Sequence, residues 1–150
     1  MKSFKFALIA SLLIANLSHF TMGYAQNDVK NSPAACPTPA EMGALHLYGE
    51  WQATWDGVEA PATLRLERHP EHLDGVRGTL QRGTAEALVA GDVDEGEFNL
   101  EESTDGRTIA ATWTGKVLEN ACGKEIQGRW NNVADQSERR FVLRKRPGWR

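Results

Sequence analysis

The chain predicts a small all-β domain: a single antiparallel meander of about eight strands closed into a barrel and preceded by an extended N-terminal arm. Three observations predict it. From Leu47 to Leu143, apolar residues recur at every second position, the period of half-buried strands. Short pairs such as Asp56-Gly57, Arg82-Gly83 and Glu95-Gly96 interrupt that pattern at fairly even intervals, placing glycine where a tight turn wants positive φ. No stretch of helical period is long enough to supply the crossover that parallel strands need. Closing the meander removes the open edges that invite aggregation, so a barrel is expected first, with a two-layer sandwich as the alternative.

Taken in order, Trp51, Ala53 and Trp55 alternate with Gln52 and Thr54 in the first strand, which Asp56-Gly57 ends. Leu64 and Leu66 alternate with Thr63, Arg65 and Glu67 in the second. Gly78 and Leu80 follow Asp74-Gly75 in the third, and Arg82-Gly83 turns the chain back. Ala87, Val89, Gly91 and Val93 share one side of the fourth strand; Phe98 and Leu100 do so in the fifth, across Glu95-Gly96. Ile109, Ala111 and Trp113 place the sixth after Asp105-Gly106, and Ile126, Gly128 and Trp130 define the seventh. Phe141 and Leu143 mark the eighth, beyond a polar loop from Asn131 to Glu138. Each strand thus has an apolar face and a polar one, as strands wrapped around one core require.

Ahead of this barrel region (residues 47–146) lie two segments of different character. Residues 1–25 join Lys2 and Lys5 to the apolar run Phe6 to Leu17 and end on Gly23-Tyr24-Ala25, the pattern of a secretory leader cleaved near Ala25. The run is shorter than the ~20 apolar residues that cross a bilayer, and no later stretch approaches that length, so no membrane span is expected. A periplasmic or secreted product is expected, one domain large enough to bury roughly two thirds of its unfolded surface. Residues 26–46 form the polar, proline-containing arm. Pro33 stands where a lipid-attachment signal ending at Cys36 would carry an apolar residue. Cys36 and Cys122 are the two cysteines of the chain. An oxidising compartment therefore permits one disulfide, which would pin the arm to the barrel.

The formal charge is −3 and becomes more negative once Lys2 and Lys5 are removed. Acidic residues dominate between Glu41 and Glu138, whereas Arg139, Arg140, Arg144, Lys145, Arg146 and Arg150 follow with no acid among them. A nucleic-acid binder presents a basic domain face, so no nucleic-acid partner is expected. The late arginines read as the solvent face of the last strand, followed by a short basic tail over residues 147–150.

No catalytic constellation emerges, and the chain reads as non-enzymatic. Ser32, Ser103 and Ser137 lie in the polar arm or in turns, outside any Gly-x-Ser-x-Gly context, and His46 stands alone. His69 and His72, with Glu71 or Asp74, are weak candidates for metal donors, but Pro70 argues against a helical ligand pair and for an exposed hairpin loop. Asp92 to Glu97 has the charge density of a calcium loop without its pattern. Gly96 falls fifth and Ser103 twelfth, where an oxygen donor and a glutamate are required. No metal or cofactor is expected.

The tryptophans carry the remaining signal. Trp51, Trp55, Trp113 and Trp130 all fall on inward positions, where they either fill the core or form an apolar cup at one barrel mouth with indole N–H groups as polar handles. They are the candidate ligand-binding residues. Gly49-Glu50-Trp51, Thr112-Trp113-Thr114-Gly115 and Ile126-Gln127-Gly128-Arg129-Trp130 resemble, in order, the tryptophan landmarks of avidin-type eight-stranded barrels. The resemblance implies the barrel and would put Trp113 and Trp130 at a ligand pocket. The Asn/Ser/Tyr set that such barrels carry after the first tryptophan has no counterpart from Gln52 to Pro61, so it carries no implication of biotin. Two functional expectations follow. One is an exported carrier of a small apolar molecule at a Trp-lined mouth. The other is a protein-interaction module of the cell envelope, an assembly factor or an inhibitor of an exported enzyme.

Overall fold

The computed structural model describes residues 36–148. The leader expected over residues 1–25, residues 26–35 of the arm and residues 149–150 of the tail lie outside the described residues. Eight strands follow one another: β1 (Gly49–Trp55), β2 (Val58–Arg68), β3 (Gly75–Arg82), β4 (Ala85–Asp94), β5 (Glu97–Ser103), β6 (Ala111–Val117), β7 (Glu125–Asn132) and β8 (Glu138–Lys145). Each pairs antiparallel with the next, and β8 pairs with β1, so the sheet is a closed barrel. A two-layer sandwich is excluded by that last pairing, because it would leave both terminal strands as edges.

The turns hold mostly as the glycine pairs predict. Gly57, Gly83, Gly96 and Gly106 have φ of 73°, 57°, 84° and 71°. Glu95 joins Gly96 in the left-handed region at φ 47°, so both central residues of the β4–β5 hairpin have the sign that matches strand twist. Gly75 departs from this expectation: it is the first residue of β3, paired with Asp92, and its φ is not positive. The preceding loop closes instead through His69, whose backbone N–H donates to Gly75 O and whose Nδ1 accepts from the amides of Glu71 and His72. Ile109 also departs, lying outside β6 and 40% exposed. Asp105 holds the chain out of the sheet there, its carboxylate accepting from the amides of Arg107 and Thr108 and from the hydroxyls of Ser103 and Thr108.

The barrel interior is filled by side chains, as an eight-stranded barrel of this width allows. Phe98, Phe141, Trp113 and Trp55 form a continuous aromatic column, with successive centroid separations of 6.3, 4.9 and 5.2 Å. Gly115 and Gly128, opposite one another on β6 and β7, make room for it. A Cβ added at Gly115 would lie 3.0 Å from Phe141 Cζ, and one at Gly128 would lie 2.0 Å from Thr114 O. Two strands therefore approach closely beside the largest ring of β8, a packing that only glycine permits.

One end of the barrel is sealed by the arm. Glu41 accepts from both the backbone N–H and the hydroxyl of Thr38, fixing a 3₁₀ turn over Pro39–Glu41. A short helix, α1 (Ala44–Leu47), follows, so Leu47 belongs to the seal and not to a strand. Leu47 is fully buried against the core, and its carbonyl accepts the Trp51 indole N–H at 2.8 Å. Lys145 donates to His46 O at 2.5 Å while its ammonium lies 5.3 Å from the Trp51 ring centroid. Burial, with Lys124 nearby, holds Lys145 below its ordinary pKa. The Cys36–Cys122 disulfide ties this arm to the loop between β6 and β7. In the chain-entropy picture so long a loop contributes up to about 4–5 kcal/mol.

The outer wall is polar. Arg129 pairs with Glu138, Arg144 with Glu125 and Arg146 with Glu50, so three of the clustered cations around β7 and β8 face carboxylates on neighbouring strands. Among the described residues no helix is long and apolar enough to cross a membrane.

Candidate functional site

Among the described residues the opposite end of the barrel has no such seal. The inward row of β2, Leu66, Leu64 and Ala62, is buried, and the same alternation continues through Ala60 and Val58. Val58 is in register with the inward Trp55, beyond an irregularity in the β1–β2 pairing, and both it and Ala60 are exposed, Val58 to 41%. They flank a hollow of about 360 Å³, whose aromatic walls are Trp55 and Trp130. Pro61 adds a further apolar side, and Arg82 and Arg139 contribute two cations.

Alternation accounts for the charged groups and for the tryptophan beside them. Arg82 continues the inward row of Val76, Gly78 and Leu80, and Glu102 that of Phe98 and Leu100. Arg139 precedes Phe141 and Leu143 in the inward row of β8. Register then brings three of them side by side: Trp113 is opposite Trp130, and Trp130 is opposite Arg139. The end of the barrel is therefore a layer of charged and aromatic side chains resting on an apolar core.

Glu102 organises that layer. It is 3% exposed and is the only buried charged residue among the described residues. Arg82 engages it through two guanidinium nitrogens, Nη1 on Oε1 and Nη2 on Oε2 at 2.9 Å. Oε2 also accepts the indole N–H groups of Trp113 at 3.3 Å and Trp130 at 3.2 Å. Four donors converge on one carboxylate, which satisfies it where water cannot. The Arg82 guanidinium in turn lies 4.8 Å from the Trp55 centroid and 5.6 Å from that of Trp130, within cation–π range of both. Trp55 is left with a buried indole N–H that has no acceptor among the described residues. An unmade bond of this kind costs about 1–3 kcal/mol.

The candidate residues thus separate. Trp55 and Trp130 line the hollow, and Trp113 lies beneath it, fully buried and joined to Trp130 through Glu102. Trp51 is at the sealed end, bonded to Leu47 O. His69 and His72 stack at 4.5 Å in the exposed loop between β2 and β3. Among the described residues no group of three or more His, Cys, Asp and Glu is placed to hold a metal ion. Arg82, Glu102 and Arg139 escaped the sequence reading: Arg82 reads as a turn residue, Glu102 as an ordinary acid, and Arg139 as solvent face, whereas it shares the row of Phe141 and lies in register with Trp130. The signal that finds them is the inward alternation itself, extended by one step on β3, β5 and β8.

No family model matches the chain, and no curated protein is significantly similar to it.

Proposed function

We propose that this protein is an exported, non-enzymatic β-barrel that binds a small molecule in the hollow walled by Trp55 and Trp130. The observation that carries the reading is the exposure of Val58 and Ala60, apolar residues that line the hollow beside two indoles and that no described residue buries. Pockets for small ligands are concave, largely apolar and furnished with a few polar groups, and a volume of about 360 Å³ is at the small end of their range. A binding role is further supported by the state of Glu102: its acceptor positions are engaged by Arg82, Trp113 and Trp130, which suits an architectural group better than an acid or base. Export is supported by the leader-like residues 1–25 and by the Cys36–Cys122 disulfide.

The test is a titration of the purified protein with a panel of small aromatic and aliphatic compounds, followed by tryptophan fluorescence and thermal shift. At least one compound is expected to change both, and Ala60→Trp, which fills the hollow from an exposed position, is expected to abolish the change. A panel without any effect on either signal overturns the reading.

A second reading, a protein-interaction module of the cell envelope, is favoured by Leu88 and Ile109. They are 51% and 40% exposed and border one groove on the outer wall. Isolated exposed apolar residues are ordinary on protein surfaces, so this reading ranks second.

A further inference from the structure

We infer that the hollow selects an apolar anion, a carboxylate on a single aromatic ring or a short aliphatic chain, with Arg139 as the residue that receives the charge. The inference rests on the proposal that the hollow is a binding site and concerns what that site prefers.

The lining is chemically one-sided. Among the described residues its side-chain polar groups are the guanidinium groups of Arg82 and Arg139 and the indoles of Trp55 and Trp130, all of which donate, and no acidic side chain lines it. A ligand that complements such a lining must bring acceptors. The two cations differ in what they have left to offer. Arg82 is neutralised by Glu102, to which it gives two of its donors, so the pair contributes little net charge. Arg139 is exposed, gives one N–H to the Asp56 carbonyl at 3.2 Å and makes no ion pair among the described residues. It is thus the cation of the lining that no ion pair occupies, the Asp135 carboxylate acting on it only from beyond salt-bridge distance. A guanidinium with free donors in its fork is suited to receive a carboxylate on two parallel bonds.

A second observation points the same way. Trp55 is 7% exposed, lines the hollow, and keeps a buried indole N–H without an acceptor among the described residues. A carboxylate held by Arg139 brings acceptor atoms to a lining whose described side chains only donate. The remainder of the ligand meets Trp55, Trp130, Val58, Ala60 and Pro61, none of which carries an acceptor on its side chain. The volume of about 360 Å³ accommodates one ring or a short chain and not a lipid with two tails.

The experiment compares acids with their neutral amides on the wild-type protein and on Arg139→Gln. The probes are 3-phenylpropionate and octanoate, each against the corresponding primary amide, measured by calorimetry and tryptophan fluorescence. The acids are expected to bind about tenfold or more tightly than the amides, and Arg139→Gln is expected to erase that difference by weakening the acids far more than the amides. Amides that bind as well as the acids overturn the inference and leave the binding site standing, as does an acid preference that survives Arg139→Gln. If neither probe class binds while a cationic or uncharged compound of the broader panel does, the anion preference is again refuted and the site retained. No binding of any compound removes both. Arg139 is exposed and outside the core, so circular dichroism of Arg139→Gln is expected to match the wild type.

Discussion

The two ends of this barrel are built on the same alternation and finished in opposite ways. At one end the inward row terminates on Trp51, whose only polar atom donates to Leu47 O, and the arm lays Leu47, Met42 and a disulfide over it. At the other, the inward row terminates on Trp55, whose equivalent atom has no partner among the described residues, and the groups beside it are the ion pair of half-exposed Arg82 with buried Glu102 and the exposed cation Arg139. The sealed end uses its tryptophan as packing. The open end uses three tryptophans as a frame around charge. Two indoles of one strand, four residues apart, therefore have different roles, decided by what covers the end of the barrel each one reaches.

This contrast can be broken by substitution. The largest effect is expected from Trp51→Ala, which empties a fully buried site and should cost about 4 kcal/mol, whereas Trp130→Ala, half-buried at the open end, should cost about 1–2 kcal/mol. Urea unfolding of the two variants measures the difference, and equal losses would mean that the ends are equivalent in packing. Next comes Arg82→Met, which strands the Glu102 carboxylate in the core. It is expected to cost about 3 kcal/mol, near the low end for broken buried pairs because Arg82 keeps some exposure. Adding Glu102→Gln, which retains an acceptor for the two indoles, should restore part of that loss. A double variant less stable than Arg82→Met alone would show that charge pairing is not what holds this layer together.

The smallest effect belongs to the loop that borders the open end. Backbone N–H groups of Thr108 and Arg107, then the hydroxyls of Thr108 and Ser103, lower the Asp105 pKa from 3.8 to about 2. A depressed carboxyl stabilises the fold at pH values above its unfolded pKa, and that contribution is lost as the pH falls through about 2. Asp105→Ala should therefore unfold slightly more easily than the wild type at neutral pH, and the gap should close in acid below about pH 2. A gap that persists unchanged in acid would assign the loop's order to something other than this carboxylate.

Much of the fold was legible because alternation and turn glycines are local. The strands around Trp51, Leu64, Leu80, Val89, Phe98, Trp113, Ile126 and Phe141 all formed, and two cysteines left one bond to make. Gly75 and Ile109 misled for a local reason too: side chains of His69 and Asp105 bind nearby amides and reroute the backbone, which a periodicity cannot register. The site was legible only in part. Alternation placed Trp55 and Trp130 inward, but Arg82 reads as part of a turn, Arg139 as the solvent face of the last strand and Glu102 as one acid among many, so all three were lost. That Trp51 and Trp55 reach opposite ends follows from strand direction, and which end is covered depends on where the arm docks, a non-local fact.

The pairing of β1 with β8 has a consequence in time. Every other strand contact joins sequence neighbours, but Trp51 is in register with Lys145 across nearly the whole domain. Such a contact is the last that a growing or refolding chain can make, and the loop it closes is the longest. Until β8 arrives, β1 is an open edge that displays Trp51 and Trp55 along it, the kind of strand that recruits other chains. The arm, tethered at Cys122 and laid against β2, β3 and β4 through α1, accepts the Trp51 indole N–H on Leu47 O, a contact that does not need β8. Closure order, as much as final stability, is then a reason for a small barrel to carry a bolted lid on the end where its first strand begins.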